Sequence, residues 1–355
     1  MDLTWLTETL GDDRTLALGG ILVGLVFGAA AQRSEFCLRS ATIEFWRGSM
    51  GTKTAIWLLA FGTALLATQS LISGEVLEAQ QVRQIATAGT MSGAILGGLM
   101  FGTGMILARG CASRLLVLSA TGNLRALVAG LILTVVAQAS LRGVLSPVRQ
   151  WLSSIWMVPP EVRDMAAMLP DGAGLVAGAG VLVLAMALAL HCRLGPVTAI
   201  TAVLVGGAVA GGWWFTATLA SQAFDIVPVQ SVSFTGPSVD TLMALINQPD
   251  VSYGFGVGLV PGVFAGAFLS AVTGRTFRVQ TFNDQARLPR YIAGAALMGF
   301  GAMLAGGCAV GAGMTGGAVL ASTAWAALLA MWLAAGLTDL ALDRPTEARA
   351  VAALS

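Results

Sequence analysis

What most limits the structures open to this chain is a set of long apolar windows that contain no charge. Several run for 17 or more residues, the length an α-helix needs to cross the hydrocarbon core of a bilayer. Of 355 residues, 56% are apolar and 10% charged, and the mean hydropathy is +0.80, whereas a soluble domain carries about 25% charged residues. The runs are continuous, without the alternation that a transmembrane β-barrel requires. The sequence therefore predicts an all-α, polytopic membrane protein of about nine transmembrane helices. The expected segments are 15–32, 54–73, 90–108, 126–141, 172–190, 199–218, 253–273, 291–307 and 318–338.

Charge sets the expected orientation. Arg33, Arg39, Arg47 and Lys53 follow the first segment, Arg109, Arg114 and Arg125 the third, and Arg275, Arg278, Arg287 and Arg290 the seventh, the last group against one acid, Asp284. The intervening connections are acidic or balanced, with Glu75 and Glu78 in one and Asp225, Asp240 and Asp250 in another. Basic connections face the cytoplasm, which predicts a periplasmic N-terminus and a cytoplasmic C-terminus. The first segment follows Asp2, Glu8, Asp12 and Asp13, the opposite of a signal peptide's basic start, so no cleavage is expected. The connection 142–171, with Trp151 and Trp156, reads as a helix lying in the outer interface. The connection 219–252, with Pro228, Pro237 and Pro249, reads as the longest soluble stretch. The tail after Asp339 is short and mixed in charge.

Within this frame one motif occurs twice. Gly102–Ala112 (GTGMILARGCA) and Gly299–Ala309 (GFGAMLAGGCA) agree at seven of eleven positions, ending on Gly110-Cys111 and Gly307-Cys308. Cys37 and Cys192 end early segments in a weaker correspondence. The chain accordingly divides into a first half, 15–141, and a second half, 172–338, with 142–171 between them. Such repeats place transporter sites at their interface near mid-membrane. Counting crossings puts Cys37, Cys111 and Cys192 on one side and Cys308 on the other, so some segments must be short re-entrant elements. The stretches after Cys111 (SRLLVLSATGN) and after Cys308 (AVGAGMTGG) are the candidates, since irregular backbone survives at membrane depth only inside protein or beside water.

A broken helix exposes amide N–H groups with partial positive charge, glycine lets a ligand approach the backbone, and a thiol adds a weak donor on a polarisable surface. Arg39, Arg109 and Arg193 stand close to cysteines. This lining suits a sulfur-bearing oxyanion and disfavours a cation, because the segments hold almost no carboxylates. A bland reading accompanies each feature: a lone cysteine is ordinarily a small buried hydrophobe, Arg33 and Arg114 mark the cytoplasmic boundary, and His191 is an interfacial residue. Most glycine, as in Gly20-x-x-x-Gly24-x-x-x-Gly28, is helix packing. The four cysteines are far apart in sequence, with no C-x-x-C pair. A metal site, an iron–sulfur centre and a close redox pair therefore have no support, and a membrane thiol or quinone-linked redox protein remains the competing class. Hydrolysis would rest on His191 alone. No enzyme activity, metal or cofactor is expected.

The motifs RSEFCLRS around Cys37, GTGMILARGCAS around Cys111 and GFGAMLAGGCAVG around Cys308 resemble the YeeE/YedE sulfur-transport family of bacterial inner membranes, over essentially the whole chain. The resemblance implies thiosulfate import through a fold with short central loops, with Cys37, Cys111 and Cys308 in a row along the route. It also implies a small cytoplasmic sulfur carrier of the TusA-like kind as partner. Family members with selenium or unidentified cargo leave other sulfur or selenium species as alternatives. Two positions depart from the pattern. Arg109 stands where the second motif has Gly306, and Cys192 has no counterpart. The expected substrate-binding residues are Cys37, Cys111, Cys308, Gly110, Gly307, Arg109, Arg39 and Cys192, with the lipid bilayer and a sulfur anion as the other partners.

Overall fold

The computed structural model describes residues 4–78, 81–170, 172–223, 227–247, 253–281 and 288–343. Asp171, Asp225, Asp250, Asp284 and Arg287 lie outside the described residues, as does the tail from 344. Chain order begins with α1 (Thr4–Leu10), α2 (Asp12–Ser34), α3 (Leu38–Trp46), α4 (Thr52–Ser73) and α5 (Arg83–Ala86). After β1 (Gly89–Thr90) come α6 (Met91–Leu107), α7 (Ala112–Ala120), α8 (Leu124–Arg142) and α9 (Ser146–Ser154). After β2 (Met157–Val158) come α10 (Pro160–Arg163), α11 (Ala173–His191), α12 (Pro196–Ala220), α13 (Thr235–Asn247), α14 (Phe255–Thr273) and α15 (Leu288–Ala305). A π-helical segment, Ala309–Gly316, then leads to α16 (Ser322–Thr338).

Among the described residues nine stretches are long and apolar enough to span a membrane, and each expected segment overlaps one of them. Three are compound: Asp12–Trp46, Met91–Ala120 and Leu288–Gly316 each join a long helix to a short one through a cysteine. Starts are locally encoded. Thr90 accepts the Gly93 amide at 2.8 Å and Asn123 accepts the Ala126 amide at 3.0 Å, each satisfying an orphan first-turn donor.

Glycine brings the long helices together. Helix α2 lies parallel to α14, with Gly20, Gly24 and Gly28 against Phe255, Leu259 and Val263, and Gly258, Gly262 and Gly266 against Ala17, Ile21 and Leu25. A Cβ on Gly24 or Gly262 would fall 2.5 Å from a carbonyl oxygen of the facing helix, so the backbones touch as small-residue motifs allow. Helices α6 and α15 run antiparallel, Gly93 beside Leu304, Gly97 beside Gly301 and Gly104 beside Gly294. The turns that follow these two helices therefore leave opposite ends of the pair.

The arginine-rich end is tied by ion pairs. Arg47 holds the fully buried Asp339 with two bonds of 2.9 and 3.0 Å. Asp343 takes Arg290 at 2.7 Å and, more loosely, Arg39 at 3.7 Å. At the other end the connection 142–171 contains the expected surface helix, α9, with Trp151 exposed. It continues into an antiparallel pairing of β2 with β1 and into Arg163, which donates to Thr323 at the start of α16 at 3.2 Å.

One expectation needs correction. The connection 219–252 is not a soluble stretch throughout, because its run 227–234 turns back into the bundle. Val232 and Phe234 are sealed there, and Ser231 is nearly so. Thr216 donates to the Gln230 carbonyl and Thr315 to the Val232 carbonyl, both at 2.6 Å, and the Ser231 hydroxyl donates to Val209. Hydroxyl side chains thus replace the helical bonds this backbone lacks, the condition for irregular chain at such depth. Pro228 and the two serines of the run disguise it as a loop.

Candidate functional site

The same turn recurs three times. A long helix ends, one residue takes a left-handed conformation, one residue follows, and a cysteine in extended conformation starts a short helix. The left-handed residues are Glu35, Arg109 and Gly306, with φ of 55°, 58° and 79°. The starting cysteines are Cys37 before α3, Cys111 before α7 and Cys308 before Ala309–Gly316. The left-handed residue closes the first helix in the usual manner of a C-cap. The short helix then directs its unpaired first-turn amides, and the positive end of its dipole, at the space beside the thiol.

The amide three residues on faces each sulfur. Gly311 donates to Cys308 Sγ at 3.5 Å, whereas the amides of Ser40 and Arg114 face Cys37 and Cys111 without closing a bond of that geometry. Cys111 Sγ also lies 3.3 Å from the Ser113 hydroxyl. Cys37 and Cys111 are immediate neighbours as free thiols. A close pair invisible in the linear sequence is therefore made by folding. All three cysteines are buried and belong to one continuous apolar cluster, and α7 touches the π-helical segment that Cys308 begins.

The arginines divide differently from their order in the sequence. Arg39 and Arg114 lie within electrostatic reach of Cys37. Each keeps a buried N–H without an acceptor, Nε of Arg39 and Nη1 of Arg114. Arg114, read from sequence as a boundary marker, stands in the first turn of α7 and is half-buried. Its signal was its place three residues after Cys111, where a helix start puts the N3 residue. Arg109 is exposed, and its charge reaches Arg39 rather than a thiol. In the turn it is the residue that takes the left-handed conformation. A left-handed non-glycine residue costs about 1–2 kcal/mol, which explains why Gly306 fills the matching place. Arg109→Gly should therefore fold at least as well as the natural protein, gaining up to about 1 kcal/mol after glycine's larger unfolded-state entropy is subtracted. Thermal unfolding in detergent checks this, and a lower midpoint would mean that the arginine side chain holds the turn by contacts.

The two motif glycines also differ. A Cβ on Gly307 would lie 2.7 Å from the Ala312 amide, while one on Gly110 would meet the flexible Leu115 at 3.3 Å. Close backbone approach is thus obligatory at Gly307 and only preferred at Gly110.

Cys192 stands apart. It caps the end of α11, is half-buried, and donates to the Met50 carbonyl at 3.4 Å. Its turn has the same left-handed kink, at Arg193 with φ 50°, but the residue two further on is Gly195, the cap of α12. Gly195 therefore occupies the place that cysteine fills in the other three turns. Cys192 is three residues out of register, and α12 is a full helix of 25 residues. The weak likeness of Cys37 and Cys192 was one of helix endings, not of thiol positions. Cys192→Ala should unfold within about 0.5 kcal/mol of the natural protein, the range of substitutions away from a packed core, as thermal unfolding in detergent would show. A much lower midpoint would mean that the bond to the Met50 carbonyl holds this turn.

Comparison with known proteins adds to this geometry. The family model for sulphur transport matches residues 33–337, which include all three cysteine turns. The thiosulfate transporter TsuA of Escherichia coli (strain K12) is 25% identical over 374 residues, covering 96% of this chain and 99% of that protein. The thiosulfate transporter TsuA of Spirochaeta thermophila is also 25% identical, over 323 residues, covering 87% of this chain and 93% of that one. With a match of that extent, the chain belongs to the sulphur transport family.

Proposed function

We propose that this protein imports a small sulfur-containing dianion, thiosulfate first of all, across the bacterial inner membrane. The observation that carries the reading is the set of three cysteine-capped helix starts, with two buried guanidinium N–H groups left free beside Cys37. Unsatisfied buried donors are costly, and a passing anion is their natural complement. Thiols suit its terminal sulfur, and amides and guanidinium groups suit its oxygens. Each contact is weak enough for the ion to leave.

In this reading the ion enters from the acidic side and meets the Cys308 turn with its obligatory Gly307. It passes to the Cys111–Cys37 pair beside Gly110 and leaves between Arg39, Arg109 and Arg114 on the cytoplasmic side. The N-terminus is periplasmic, and the two halves, 15–141 and 172–338, contribute thiols from opposite ends. Cys192 lies beside the exit without contacting the ion. The relatives named thiosulfate transporters support the choice of ion. The basic cytoplasmic end suits a TusA-like carrier that would receive the sulfur. Uptake of radiolabelled thiosulfate into cells expressing the protein tests the reading, with sulfate, sulfite and selenite as competitors. Saturable uptake blocked by excess thiosulfate is expected, and expressing cells no faster than controls would refute it.

One observation favours a second reading. The neighbouring Cys37 and Cys111 thiols could serve dithiol chemistry in a membrane redox protein. Turnover of a thiol substrate by the purified protein, with no thiosulfate uptake, would establish that alternative.

A further inference from the structure

The run that turns back between α12 and α13 holds hydroxyl groups no other part of the site accounts for. Ser233 lies against Gly311, with its Oγ where a side chain at 311 would have to go, and Gly311 is the residue whose amide bonds Cys308. Ser233 stays partly accessible while Val232 and Phe234 on either side are sealed. Phe234 packs on Phe27 at 5.1 Å, and Phe27 on Phe36 at 6.3 Å, Phe36 being the residue before Cys37. One segment thus touches the Cys308 turn and reaches, through two rings, the Cys37 turn. Two residues beyond Ser233, Thr235 is completely buried at the first position of α13, and its hydroxyl has no hydrogen-bond partner. A helix start with an unpaired buried hydroxyl repeats, without a thiol, the logic of the other three. Neighbouring hydroxyls at Thr216, Ser231 and Thr315 are all engaged in holding the segment. Those of Ser233 and Thr235 are not.

We infer that Ser233 and Thr235 form an oxygen-binding subsite for the transported anion, beside the Cys308 turn at Gly311. The proposal rests on the thiosulfate reading and refines it. Thiosulfate has two chemically different ends, and a site able to orient it needs a soft contact for the terminal sulfur and hard donors for the sulfonate oxygens. Cys308 supplies the first and the hydroxyls, with the first-turn amides, supply the second. Sulfate, which has only the oxygen end, binds the hydroxyl half alone and acts as a weak competitor.

The test is a comparison of Thr235→Val, Ser233→Ala and Thr235→Ser in the uptake assay, with sulfate competition and thermal unfolding measured on the same preparations. Thr235→Val keeps shape and removes the hydroxyl. It should raise the KM for thiosulfate about tenfold or more, the factor carried by a hydrogen bond to a charged ligand, and weaken inhibition by sulfate in parallel. The melting temperature should hold or rise, because removing an unpaired buried hydroxyl relieves a penalty. Thr235→Ser should restore uptake, and Ser233→Ala should behave like Thr235→Val. Full uptake and unaltered sulfate inhibition in Thr235→Val and Ser233→Ala would overturn the subsite while leaving thiosulfate transport intact. A lowered melting temperature with an unchanged KM would make the hydroxyls structural. Absence of uptake by the natural protein would instead remove the reading on which the subsite rests.

Discussion

Cys308→Ala and Cys111→Ala are each expected to abolish thiosulfate uptake while the protein still inserts and folds. Both side chains are about 1% exposed, so the change leaves only a small cavity, and the wide glycine-based helix contacts are untouched. The functional loss is expected to be larger because in the proposed route the contacts act in series. A hydrogen bond to a charged group carries about 1.5–3 kcal/mol, or roughly 10- to 100-fold in occupancy. An ion that must visit each turn in sequence is stopped by the loss of any one. Cys308→Ala also removes the acceptor of the Gly311 amide, changing the donor array on the same turn. Uptake by the double variant at the natural rate, with equal amounts in the membrane, would exclude these two thiols from the mechanism.

The largest effect on the fold is expected at the α2–α14 contact. Gly258→Val would put a branched side chain where the Ala17 carbonyl oxygen already lies. Adding bulk to a packed interior costs about 1–3 kcal/mol when side chains can adjust. Here the obstacle is backbone, and the parallel contact runs through Gly20, Gly24, Gly28, Gly262 and Gly266 as well, so no local repacking relieves it. We expect a loss of about 3 kcal/mol or more, seen as little folded protein recovered in detergent. Gly207→Val, at a position with open space around its Cα, is the matched control. Similar yields of the two variants would show that α2 and α14 can move apart.

The same contrast explains what could be read from the chain beforehand. The crossings were legible because hydropathy acts residue by residue: every expected segment overlaps a spanning stretch. Gly20, Gly24 and Gly28 were legible as packing because small-residue spacing is a property of one helix face. The Gly-Cys turns were legible because they repeat. The proximity of Cys37 to Cys111, 74 positions away in sequence, was not, since only tertiary packing creates it. The place of Arg114 in the first turn of α7 is not legible, because a cation at a helix start and a cation at a membrane boundary look alike in sequence. The out-of-register Cys192 needed backbone dihedrals, which place the kink at Arg193 and the cap at Gly195. The burial of the run 227–234 is not legible, because proline-bearing chain with polar residues ordinarily stays in water, and the hydroxyl bonds of Thr216, Thr315 and Ser231 that hold it are tertiary.

The most direct test of the whole account is a structure of the protein with thiosulfate bound, its sulfur atoms located by anomalous scattering. The account predicts an ion beside the Cys308 turn or the Cys111–Cys37 pair, its terminal sulfur toward a thiol and its oxygens toward first-turn amides or arginine. Saturable thiosulfate binding with the ion found only at sites remote from all three cysteine turns would contradict it.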